Sequence, residues 1–272
     1  MDLDKAVANL IQKVEQRFYG KYRAFVVEND DPEQLGRLKL KVPSVLGEEV
    51  VTGWAMPCVP YGGMTDRGFF FIPEIDAGVW VEFEEGDLEF PIWVGTFWSK
   101  PGGTSEVPKP NDAAGSEEGG IPSPPTRKII KTLKGHTIQL EDADGEEMVL
   151  LVEAENGQVF TMNQDGIKIT DGKNGNTVTL DSSGIVIEDK NGNVITMDAS
   201  TVTIKSSSIK VGENASEPLV LGNQLKTALE TWINGTFSTH MHTGNMGAPT
   251  TPPLPGAPLV MDPALSLTNK VE

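Results

Sequence analysis

The chain contains one cysteine, three histidines and 22 Lys and Arg residues against 39 Asp and Glu. A lone thiol, Cys58, permits no intrachain disulfide and no cysteine metal cluster within one chain. Set in the apolar run of residues 55–59, it is expected to be an inert core thiol. The shortage of positive charge gives a formal net of -17 over 272 residues. That balance argues against partners that present phosphates, because nucleic acid and anionic membrane surfaces attract cationic proteins. No stretch approaches the roughly 18 apolar residues of a membrane-spanning helix. The basic start of a secretory signal is also missing, with Asp2 and Asp4 in its place. The expectation is a protein made in the cytoplasm without a signal peptide.

What is present is a repeat. Between residues 157 and 212 apolar residues recur in pairs two apart: Phe160/Met162, Ile167/Ile169, Val178/Leu180, Ile185/Ile187, Ile195/Met197, Val202/Ile204 and Ile209/Val211. Two is the period of a strand with one buried face, so Thr161, Lys168, Thr179, Thr196 and Thr203 are expected to face water. The pairs are themselves spaced, with steps of seven from Phe160 to Ile167 and from Val178 to Ile185, and of eighteen from Phe160 to Val178. Asn174-Gly175-Asn176 returns as Asn191-Gly192-Asn193, as tight turns between strands require. Self-similarity at this period predicts a stacked β structure. About two inward side chains per strand cannot enclose a dry core from one chain, so several copies, most simply three about one axis, are expected to wrap together.

The remaining chain divides around this shaft, placed at residues 126–212. Residues 1–20 predict an N-terminal helix, with Leu3, Val7, Leu10 and Val14 on one face over residues 2–18. Residues 21–98 alternate in short runs, predicted as strands over 22–28, 36–42, 52–59, 69–72, 79–84 and 92–97. That many strands in so short a span argue for a small closed β-barrel or sandwich. Residues 99–125, rich in Pro, Gly and acidic residues, read as a linker. Residues 213–272 form a last region, with a short amphipathic helix through Leu221, Leu225, Leu229 and Trp232 ending near Gly235, then Thr239-His240-Met241-His242-Thr243 and a Pro-rich tail.

The ordered series Arg23-Ala24-Phe25-Val26-Val27-Glu28, Asp31-Pro32, residues 35–43, Trp54-Ala55-Met56-Pro57, the glycines Gly62, Gly63 and Gly68, Pro73-Glu74, residues 78–87 and Pro91-Ile92-Trp93-Val94-Gly95 resembles the OB-fold of phage baseplate central spike proteins (baseplate assembly protein V) and of type VI secretion VgrG spikes. Residues 132–142 with Gly145-Glu146-Glu147 resemble the entry to the β-helix of such spikes. The resemblance implies a mainly β protein with an N-terminal helix, an OB-fold β-barrel, an intertwined trimeric β-helix or β-prism and a metal-binding tip. It implies a homotrimer that joins baseplate hub and tail tube proteins in a virion tail baseplate and meets the outer envelope of a target cell.

In an extended segment His240 and His242 point to one side. Three chains would supply six imidazoles, an all-nitrogen octahedral shell suited to iron or a similar divalent first-row metal rather than tetrahedral zinc. Spacing alone leaves two loop histidines; the resemblance implies the metal, because many such spikes hold an iron ion through His-x-His near the apex. Thirty residues follow His242, so the tail must fold back or cap the apex.

Two other functions remain open to test. A β-helical polysaccharide-degrading tail enzyme would need paired carboxylates in a groove, whereas the acidic residues lie at turns and outward positions, and no catalytic or cofactor-binding residues are assigned. An OB-fold nucleic-acid binder is opposed by ten Lys and Arg against seventeen Asp and Glu over residues 1–100. Trp54, Trp80, Trp93 and Trp98 are therefore expected in the barrel core or at subunit contacts. His136 is expected to be a structural hydrogen-bonding residue, and the acidic turns 171–176 and 189–193 to be turns rather than calcium loops.

Overall fold

The computed structural model describes Val7 and residues 17–211, 213–214 and 222–252. Most of the expected N-terminal helix and the tail from 253 onward lie outside these residues. Val7 is helical, whereas Arg17 and Phe18 are not. The chain forms two compact units, Met1–Lys205 and Ser206–Glu272.

The first unit begins with β1 (Tyr22–Glu28), β2 (Lys39–Lys41), the one-turn helix α1 (Pro43–Leu46), β3 (Met56–Pro57), β4 (Gly78–Phe83) and β5 (Pro91–Thr96). They make a five-stranded, OB-like sheet in the order β2-β1-β4-β5-β3. Its edges meet through Leu38 and Ala55, whose amides donate to each other's carbonyls at 3.1 and 2.7 Å. Alternation places Ala24, Val26, Val79, Val81 and Phe83 inside with Leu38, Leu40 and Trp93. The Trp93 indole donates to the Gly36 carbonyl at 3.1 Å, which satisfies its polar edge inside the core. The β1–β2 turn is tied by buried Asp31, which accepts from the Glu33 and Leu35 amides and from the Arg37 guanidinium at 2.6 Å. That guanidinium, with the amide donors, holds the Asp31 carboxyl well below its ordinary range.

Two expectations fail here. Cys58 is exposed, because its amide continues the pairing with the Trp93 carbonyl at 2.9 Å and so its side chain takes the outward side of Met56, opposite buried Ala55. Phe69, Phe70 and Phe71 form no strand and project outward. Gly62 and Gly68, at φ of +156° and +148°, bend this segment into a loop instead.

The shaft sheet comprises β6 (Arg127–Lys131), β7 (Thr137–Glu141), β8 (Met148–Glu153), β9 (Gln158–Asn163), β10 (Gly166–Asp171), β11 (Asn176–Asp181), β12 (Gly184–Glu188), β13 (Val194–Met197) and β14 (Val202–Lys205). Its nine strands pair in sequence order, every pair antiparallel. One chain therefore gives an open meander. The repeat ends sooner than its pattern suggests, since Ile209 and Val211 belong to no strand.

The back of the first strands is covered. Asn111 exchanges hydrogen bonds with the buried Gln139 side chain at 2.9 and 2.8 Å, and the Thr161 hydroxyl donates to the Ala113 carbonyl at 2.9 Å. Thr161 is thus buried rather than facing water. Gly115 lies so close to Val159 that a Cβ there would stand 2.6 Å from the valine methyl. Arg127 binds both Glu118 and Glu141, fastening this segment to the sheet.

The hairpins depend on two glycines at equivalent repeat positions. Gly166 and Gly184 have φ of +134° and +133°, and a Cβ at either would stand 2.0 and 1.9 Å from the Leu180 and Met197 carbonyl oxygens. Gly184→Ala is expected to cost about 1–3 kcal/mol of stability, read as a lowered thermal midpoint. Gly119→Ala, in open space, leaves the midpoint unchanged.

Asp171 accepts from Asn174, Gln158 and Asn176 side chains, and its pKa falls to about 2. Asp189 is lowered chiefly by Asn193, and Asp198 by the Ser200 and Thr201 amides. Carboxyls lowered in the folded state bind protons more readily when unfolded, so stability rises with pH over their window. The contribution is full above the ordinary carboxylate pKa near ~4 and is lost as pH falls toward about 2 for Asp171. Thermal melts between those limits should show this slope, and Asp171→Asn should flatten it.

Candidate trimer interface and metal centre

Strand register turns the apolar doublets into two continuous ribbons. Directly opposed residues run Ile130, Ile138, Leu151, Phe160, Ile169, Val178, Ile187, Ile195 and Ile204 across all nine strands. Two residues along each strand, Lys128, Leu140, Val149, Met162, Ile167, Leu180, Ile185, Met197 and Val202 form the second ribbon. Both lie on one face, because alternate residues share a side. At the usual strand spacing the pair of ribbons is roughly 40 Å long and about 7 Å across.

Much of this face is uncovered in the single chain. Ile138 is 49 % exposed, Ile169 44 %, Ile187 41 % and Ile204 53 %. The opposite face carries Lys168, Thr179, Val186, Thr196 and Thr203 in one register row, polar at every position but Val186. A contiguous apolar surface of this length marks an association face, and covering it contributes on the order of 1 kcal/mol per side chain. The sequence alone located these residues from Phe160 onward but not their register, which the cross-strand pairing sets.

In the second unit, α2 (Gly222–Thr231) continues into a π-helical segment, Trp232–Phe237. The helix does not stop at Gly235. It runs through Thr239, with hydroxyls of Ser238 and Thr239 donating to the Ile233 and Gly235 carbonyls at 2.6 and 2.5 Å. After His242 the chain folds back at once: Thr243 bridges to Pro249, and the Thr250 amide donates to the His242 carbonyl at 2.7 Å.

This turn brings the two expected ligands together. The imidazole rings of His240 and His242 lie 5.0 Å apart at 82°. His240 Nδ1 bonds the Phe237 carbonyl; since a carbonyl can only accept, the neutral ring that makes this bond has its proton on Nδ1 and its lone pair on Nε2. Holding the second ring nitrogen in this way is how metal-binding histidines are oriented. Among the described residues no group of three or more His, Cys, Asp or Glu side chains gathers at one point. Two imidazole donors per chain fit a first-row divalent ion only when chains are combined.

His136 has the structural role expected: the Ala154 amide donates to its Nδ1 at 3.2 Å. Of the tryptophans, Trp93 is buried and Trp98 is exposed, while Trp80 packs on Phe97 at 5.2 Å and Trp54 lies beneath the Lys39 ammonium at 4.7 Å. No described helix is long and apolar enough to cross a membrane.

Residues 22–98 match the type VI secretion system and phage-baseplate injector OB domain. Residues 128–183 match the phage baseplate V C-terminal trimerisation domain. The chain carries two domains of the baseplate spike protein family. No curated protein matches it. These domains suggest a structural component of a baseplate or injection machine, and the trimerisation domain supports a homotrimer. That domain covers the exposed ribbons from Lys128 to Leu180.

Proposed function

We propose that the protein is the central spike of a contractile injection machine, a phage tail baseplate. Three chains lay their apolar ribbons inward to form an intertwined β-helix or β-prism, and sheath contraction drives the assembly through the target cell envelope. The observation that carries this reading is the double ribbon, nine strands long and exposed on one chain. Hydrogen bonding continuous from β6 to β14 suits an axial load, since no break in the ladder offers a place to buckle.

The OB domain and N-terminal segment join the hub and tail tube proteins. At the tip, His240 and His242 from three chains hold one iron ion, which would tie the chains together at the apex. Support comes from the 5.0 Å approach of the rings and from the Phe237 carbonyl that leaves His240 Nε2 available.

A polysaccharide-degrading enzyme would need one carboxyl raised to act as general acid. Asp31, Glu117, Glu141, Glu153, Asp171, Asp189 and Asp198 are instead lowered by hydrogen-bond donors and cations, so none of these seven is such an acid. The deciding experiment is native mass spectrometry with metal analysis. A trimer bearing iron is expected; a monomer would sink the spike. Release of sugars from cell-wall or capsule polysaccharide would replace the mechanical reading with an enzymatic one.

A further inference from the structure

The loop of residues 61–72 displays aromatic groups that the OB core does not use. Tyr61, Met64, Phe69, Phe70 and Phe71 are each more than half exposed. The display is built rather than loose. The Phe69 amide donates to the Tyr61 carbonyl at 3.0 Å, the Tyr61 and Phe69 rings pack at 5.8 Å, and Phe69 packs on Phe71 at 6.2 Å. Gly68 allows the close return, since a Cβ there would stand 3.0 Å from the Tyr61 oxygen.

Phe71 has a particular place. It borders a cavity of about 560 Å³ that is floored by Ile130, Ile138, Leu151, Phe160 and Ile169. Those five residues are the first ribbon of the apolar face, over strands β6 to β10. His136, Glu153, Gln158 and Asp171 edge the same cavity. Phe71, at the end of the aromatic loop, therefore stands over the association face at its OB end.

We propose that the 61–72 loop is part of the contact between subunits, with Phe71 packed against a second copy of this chain. This rests on the trimeric reading of the shaft. A subunit that covers Ile138, Leu151 and Phe160 must also meet the ring that overlies them, so the loop is continuous with the face matched by the trimerisation domain. A different protein in this place would have to enter the cavity through the interior of the trimer. With a second copy as occupant, the cavity is filled from both sides, and the register of the OB domains is coupled to that of the shaft.

The test is site-specific photo-crosslinking in the full chain. p-Benzoylphenylalanine replaces Phe71, or Thr179 as a control on the opposite face, in a mixture of nitrogen-14 and nitrogen-15 chains. After irradiation and boiling in detergent, position 71 is expected to give crosslinked dimers and trimers, with mixed-isotope peptides joining residue 71 to a neighbour's shaft. Position 179 should stay monomeric. A native trimer whose residue 71 forms only single-isotope, intrachain links, or none, overturns the loop proposal and leaves the trimer standing. A native mass of one chain overturns the trimeric reading, and the loop proposal with it.

Discussion

Ile187→Asp should abolish the trimer. Ile187 lies in the first ribbon, directly opposed to Val178 on β11 and Ile195 on β13, and is 41 % exposed in the single chain. If the ribbons face an axis, three carboxylates enter one apolar layer together. Each loses its hydration without a counterion, at a cost of several kcal/mol, and the three repel one another. Native mass spectrometry at micromolar concentration should find the variant as monomer or aggregate. Thr179→Asp is the matched control. Thr179 lies in the row of the opposite face, opposed to Lys168 and Val186, where an added carboxylate gains a cross-strand partner worth roughly 0.2–1 kcal/mol. It should assemble normally. An Ile187→Asp protein that remains trimeric with an unaltered melt would place the apolar face outside the assembly.

The contrast between these two residues was legible in the sequence because a strand's side chains alternate strictly. Phe160/Met162 and Val178/Leu180 had to share a face whatever the wider fold, and β9 and β11 bear this out. Turn chemistry was equally readable: Asn174-Gly175-Asn176 closes around Asp171 through local bonds that need no distant partner. What could not be read depended on non-periodic contacts. Residues 110–118 carry few apolar groups, yet Asn111 and Ala113 cover Gln139 and Thr161 through backbone amide and carbonyl groups, which any residue type supplies. Phe69, Phe70 and Phe71 have strong strand preference, but the positive φ of Gly62 and Gly68 overrides it. Cys58 failed for a related reason, since an apolar neighbourhood in sequence is not one in space.

The His-x-His pair is the case where sequence and geometry each carry half of the inference. Two residues apart on an extended chain suffices to align the rings, whereas in this protein His240 closes a helix that passes through a π-helical turn and His242 opens a tight hairpin. The rings still meet at 5.0 Å, and the helix end supplies what spacing could not, the Phe237 carbonyl that fixes one tautomer. Removal of both imidazoles should therefore separate two roles. In the proposed spike, His240→Ala with His242→Ala is expected to lower the metal from one ion per three chains to none, because the remaining described residues offer no substitute cluster. Assembly should survive, since the ribbons that drive it end at Lys205, and the loss should register as earlier melting or proteolysis of residues beyond 222. Stripping the wild-type particle with a chelator under denaturing conditions and refolding it without metal should reproduce that behaviour. A variant that retains full metal content would assign the ion to other ligands, and one that loses the trimer along with the metal would make the tip, rather than the shaft, the origin of assembly.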